Sequence, residues 1–141
     1  MISDRRIYSR EELKNAAPLA LSFVGDAVHT LFVRERVFGE SPYKNGELHK
    51  LAGNVCCAPD QARKAKILMP LLTEEELFVF KKGKNAHVNS VPKHSSLTEY
   101  KLATALEAVA GYLFLSGQDE RLNELMKAIY EEKDSETMFS E

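Results

Sequence analysis

Two acidic residues sit where a chain ordinarily places none. Asp26 falls in LSFVGDAVHTLFV, residues 21–33, and Glu107 lies between Leu106 and Ala108 in LTEYKLATALEAVAGYLFLSG, residues 97–117. At helical spacing the neighbours of Asp26 are Leu19, Ser22, Phe23, His29, Thr30 and Val33, so its own helix offers no lysine or arginine to balance it. Those of Glu107 are Tyr100, Ala103, Thr104, Ala110, Gly111 and Phe114. A buried, unpaired carboxylate is costly unless it is protonated, hydrogen-bonded or bound to a cation. Most of the residues around Glu107 are small, as is Gly25 beside Asp26, and small residues let two helix backbones approach closely. Such helices can cross with both carboxylates facing one cavity, an oxygen-donor pair suited to a hard dication, Mg²⁺ best of all. The alternative is that each acid is satisfied separately, by a backbone amide or by a lysine from elsewhere.

The elements that must carry these acids are helices. Pro18, Gly39, Pro42, Pro70, Gly83, Pro92 and Gly117 punctuate the chain, and the segments between them show helical rather than alternating periodicity, which predicts an all-α domain. Helices are predicted near 10–15, over 18–38 with Pro18 in the first turn, over 44–68 with a break near Pro59, and over 73–82, 97–116 and 119–132. The second is apolar on nearly all sides in its first half, which predicts burial at the centre of the fold, Asp26 included. Thr73 followed by Glu74, Glu75 and Glu76 reads as an N-cap with acids in the first turn. Arg63, Lys64 and Lys66 read as cations complementing a helix C-terminus. The acidic tail EEKDSETMFSE has no periodic apolar face and is expected to fray.

A length of 141 residues suits one domain spanning 1–141, and 44% hydrophobic with 28% charged residues excludes wholesale disorder. The net charge of −2 is not the global signature of a nucleic-acid binder, so any such role must come from uneven charge. Residues 81–94 supply it: Lys81, Lys82, Lys84, His87, Lys93 and His94, with no acid among them. Lysines on a glycine-containing loop suit phosphate contacts, which makes Lys81, Lys82, Lys84, Asn85, Lys93 and His94 the candidate RNA-binding residues. The amino terminus lacks a secretory h-region and no run is long enough to cross a bilayer, so a cytoplasmic protein without a membrane partner is expected. Cys56 and Cys57 are adjacent and read as reduced and buried, with no disulfide framework or thiolate metal site.

LALSFVGDAVHTLFVRERV resembles the signature helix of the ribonuclease III family, and TALEAVAGYLFLSG resembles that family's second metal-binding helix. KKGKNAHVNSVPKHSSLTEYKLATALEA is similar to a stretch of the family's short form, the catalytic domain alone, and NGELHKL, residues 45–51, is a partial match with Asn45 in place of a glutamate. The resemblance implies a ribonuclease III endonuclease-domain fold without a double-stranded-RNA-binding domain, paired as a two-fold homodimer through the signature helices. It also implies Mg²⁺-dependent cleavage of double-stranded RNA to 5′-phosphate and 3′-hydroxyl ends, in the maturation of precursor large-subunit (23S) ribosomal RNA, with a ribosomal protein as a candidate partner. By position, Asp26 and Glu107 fall on catalytic, metal-ligating acids. Leu19, Ser22 and Thr104 stand where the larger enzymes carry further acids, so water or RNA phosphate must complete the metal's shell. Gly25, Phe23 and Phe32 are expected at the dimer interface. A competing reading is a non-catalytic RNA- or ribosome-binding module, for which two buried acids have no use. An all-α interaction domain unrelated to RNA would leave the basic segment unexplained.

Overall fold

The computed structural model describes residues 2–40, 57–87 and 96–140. Among them the secondary structure is helical without a strand: α1 (Arg10–Lys14), α2 (Pro18–Glu40), α3 (Ala58–Leu68), a 3₁₀ turn (Met69–Leu71), α4 (Glu74–Lys84), α5 (Leu97–Leu115) and α6 (Asp119–Ser140). The chain is all-α. Residues 44–56 of the helical stretch predicted over 44–68, and with them Lys93 and His94 of the basic segment, lie outside the described residues.

Capping boxes set three of the starts. Ser9, Thr73 and Ser96 each accept from the backbone N–H three residues on, and Glu12, Glu76 and Glu99 return the bond to the cap's own N–H. Gly117, at φ 73°, ends α5: Gln118 N–H donates to Leu113 O at 2.9 Å and Gly117 N–H to Phe114 O at 3.1 Å. The glutamates of α4 do more than cap. Glu76 takes the Arg121 guanidinium in two bonds of 2.9 Å, and Glu75 accepts the Tyr112 hydroxyl at 2.7 Å and the Lys14 ammonium at 2.9 Å.

Helix α5 is the centre of the core. Ala105, Leu106, Ala108, Val109, Tyr112 and Leu113 are buried along it, and α2, α3, α4 and α6 pack around them. Alanine on this helix lets its neighbours come close, while the large side chains interlock with Leu68, Val79, Phe80 and Ile129. Lys64, expected only as a cation near a helix C-terminus, has a further role in the interior. It is 0% exposed, its Nζ lies 2.5 Å from Asp60 Oδ2 and 3.6 Å above the Tyr130 ring. Tyr130 in turn pairs its hydroxyl with His29 Nε2 at 2.7 Å. A polar chain therefore ties α2, α3 and α6 through the interior, and the i, i+4 spacing of Asp60 and Lys64 was the sequence signal for it.

Helix α2 is not buried all round. Leu21, Val28, Val33 and Val37 face the core, whereas Leu19, Phe23, Ala27 and Leu31 form an exposed apolar stripe at four-residue spacing, with Phe23 81% exposed. Asp26, expected to be buried, lies on the exposed side beside this stripe. The acidic tail, expected to fray, continues α6 to Ser140, because glutamate and lysine are good helix formers that propagate a helix already nucleated by Leu122, Leu125 and Met126 against the core. Cys57, expected to be buried, is exposed as the N-cap residue of α3.

Candidate active site

The helices carrying the two acids meet at a pair of glycines. A Cβ on Gly25 would lie 1.6 Å from Glu107 O, and one on Gly111 would lie 2.0 Å from Leu21 O, so α2 and α5 are in backbone contact. Gly25 thus belongs to an internal crossing rather than to a dimer interface. Phe32 likewise turns inward, half-buried with its ring 5.4 Å from that of Tyr130. Of the three residues expected at that interface, Phe23 is fully on the surface, Phe32 is half-buried and Gly25 is buried.

The crossing sets Asp26, next to Gly25, and Glu107, one turn before Gly111, at one cleft of about 470 Å³. Its polar lining is Ser22 and Asp26 from α2, Gln61 from α3, and Tyr100, Thr104 and Glu107 from α5. Glu107 is half-buried and accepts from Ser22 Oγ at 3.5 Å. Burial, and then the charge of Asp26, pushes its carboxyl up to about 8. Thr104 turns its hydroxyl to the Tyr100 carbonyl at 2.9 Å, so it hydrogen-bonds within its own helix where the larger enzymes have an acid. Among the described residues no group of three or more His, Cys, Asp or Glu is placed to hold a metal ion. The acids that line the cleft, among the described residues, are Asp26 and Glu107. That set fits a hard dication that keeps most of its water, and a cation there would offset the repulsion that raises Glu107.

A pH dependence of stability follows from Glu107. Its folded pKa of about 8 lies above the ordinary carboxyl value of 4.5, so the folded state holds the extra proton between those values. The group's contribution is fully present below pH 4.5 and is lost as pH rises through about 8. In EDTA, the thermal midpoint of wild type should fall relative to Glu107→Gln as pH is raised across that window. A constant difference between the two proteins would contradict the burial and charge assigned to this carboxyl.

The basic segment is only partly as expected. Lys81, Lys82 and Lys84 lie in the last turns of α4 rather than on a loop, because Gly83 packs under α5, where a Cβ would sit 2.9 Å from Ala108 Cβ. Lys81, Lys84 and the C-cap residue Asn85 are exposed. Lys82 instead donates to Lys14 O at 2.6 Å and lies 5.5 Å from the centre of the Phe78 ring, so it also holds α1 to α4.

Two central helices that cross on glycines and open a two-carboxylate cleft beside the crossing accord with the resemblance of the sequence to the ribonuclease III class. A model of the ribonuclease III domain matches residues 19–118. The chain is similar to Mini-ribonuclease 3 of Brevibacillus brevis, with 42% identity over 80% of this chain and 84% of the relative. It is also similar to that of Clostridium tetani, with 36% identity over 89% and 85% respectively. A crystal structure of a Fusobacterium nucleatum protein superposes with a TM-score of 0.77 at 28% identity, covering 84% of this chain and 95% of that one. The chain belongs to the ribonuclease III family, in its short Mini-ribonuclease 3 form, and is an endoribonuclease.

Proposed function

We propose that this endoribonuclease cleaves double-stranded RNA at the Asp26–Glu107 cleft with the aid of Mg²⁺, and that its substrate is precursor 23S ribosomal RNA in the cytoplasm. The observation that carries the reading is the meeting of two carboxylates, distant in sequence, at one open cleft. Bound there, Mg²⁺ would supply a water nucleophile at neutral pH and offset charge on the scissile phosphate. Asp26, exposed at the mouth, and Glu107, deeper in, are the residues that would hold it. Ser22 steadies the Glu107 carboxylate by donating to Oε2. In-line attack of water on phosphorus expels the 3′ oxygen, which leaves a 3′-hydroxyl on one fragment and a 5′-phosphate on the other. A ribosomal protein seated on the same RNA is the candidate partner.

Duplex binding falls to cations outside the cleft. Lys81, Lys84 and Asn85 are exposed for phosphate and sugar contacts, and Lys93 and His94 complete the set in our reading. Neutralising Lys81 and Lys84 together, with Lys82 left to hold α1, should weaken duplex binding and lower the slope of log affinity against log salt by about 1 to 2. An unchanged slope would place the duplex elsewhere.

The exposed stripe of Leu19, Phe23, Ala27 and Leu31 supports a two-fold homodimer through α2, which would set two cleavage centres across one duplex. Phe23→Asp should halve the mass seen by sedimentation while the helical circular-dichroism signal persists. A wild-type monomer at working concentration would contradict the pairing.

A further inference from the structure

We propose that Tyr100 is a substrate-binding residue of the cleavage centre, donating its phenolic hydroxyl to a non-bridging oxygen of the phosphate next to the scissile one. The inference rests on reading the cleft as a ribonuclease centre. Two carboxylates repel a polyanionic strand. A cation held by them offsets that repulsion at the bond under attack, but the phosphate beside it is left to donors of the protein. Tyr100 lines the same cleft as Asp26 and Glu107 and is half-buried there. Among the described residues no hydrogen bond engages its hydroxyl, and Glu107 takes its bond from Ser22 instead.

The other neutral polar side chains of the cleft are engaged. Ser22 donates to Glu107, Thr104 donates to the Tyr100 carbonyl, and Gln61, 4% exposed, has an interaction of its own. Position along α5 decides which phosphate Tyr100 meets. It stands seven residues before Glu107, which puts the two on one face about 10 Å apart along the helix axis. A strand whose scissile phosphate lies at Asp26 and Glu107 then brings a neighbouring phosphate to the hydroxyl, not the reacting one. Lys101, the next residue of α5, is half-buried and adds a positive charge beside it.

The test pairs an enzyme change with a substrate change. Single-turnover cleavage is measured on one RNA duplex, unmodified or carrying a single phosphorothioate of known configuration at the cleaved linkage or at either neighbour, using wild type, Tyr100→Phe and Lys101→Ala. Sulfur is a poorer acceptor than oxygen, so one configuration at one neighbouring linkage should slow wild type about twofold or more. Tyr100→Phe should cleave the unmodified duplex about three- to tenfold more slowly, the worth of one hydrogen bond, and show no further loss at that linkage. The substitution keeps the ring and the carbonyl that Thr104 uses, so the thermal midpoint should be preserved. Should Tyr100→Phe fail to fold, Tyr100→Leu carries the same expectation.

Full sulfur sensitivity at that linkage in a folded Tyr100 variant would overturn the inference while leaving the nuclease reading intact. So would sensitivity lost in Lys101→Ala instead, or confined in wild type to the cleaved linkage. No cleavage of the unmodified duplex by wild type would overturn both.

Discussion

Asp26→Asn should reduce cleavage of an RNA duplex by more than about 100-fold, since loss of an outer-shell partner alone costs a metal site roughly 10- to 100-fold and this residue is placed to bind directly. The substitution is informative because of where Asp26 sits. It is exposed at the cleft mouth, so the change empties no core and alters little but charge. Duplex binding, which we assign to Lys81 and Lys84 on α4, should persist. The variant should also lower the pKa of Glu107, because the charge of Asp26 is one of the two causes that raise it. Single-turnover rates, with duplex affinity measured alongside, separate these effects. A folded Asp26→Asn protein at full rate would remove this carboxylate from the mechanism.

Gly25→Ala should be the most destabilising single methyl in the described structure. Its Cβ would lie 1.6 Å from Glu107 O and 2.8 Å from Gly111 N, both backbone atoms that no rotamer change can move aside. The helices would have to separate, at a cost at or beyond the top of the roughly 1–3 kcal/mol usual for overpacking. For a chain of this size that lowers the thermal midpoint by about 10 °C or more. Gly39→Ala on the same helix is the control: nothing lies within 4 Å of its Cβ, and alanine is the better helix former. Equal stability of the Gly25 and Gly39 variants would contradict the crossing. Activity should fall with the first, because the same crossing brings Glu107 to Asp26.

The pair of acids was legible in the sequence because each interrupts an apolar helix, and the small residues beside them pointed to a close approach of backbones. The start of α4 was legible from Thr73 and the glutamates that follow it. What periodicity could not assign was the phase of α2. A helix apolar on nearly every side has no polar face to mark the outside, so its pattern does not show that Asp26 is exposed or that Phe32 is half-buried against Tyr130. Gly25 was read as an interface residue for a related reason: a small residue announces close contact but not with what. A cation near a helix C-terminus is the local reading of Lys64, and its burial depends on Tyr130, far along the chain, as well as on Asp60 one turn before it. Local spacing shows which residues share a face, whereas burial of that face depends on elements that pack from elsewhere.

The central claim is that Asp26 and Glu107 act together on RNA through a divalent ion. Incubating the protein with a long RNA duplex, with Mg²⁺ and then with EDTA in its place, tests it most directly. Fragments ending in 5′-phosphate and 3′-hydroxyl should accumulate with the metal and cease without it. An intact duplex in Mg²⁺, or equal cleavage in EDTA, would contradict the account.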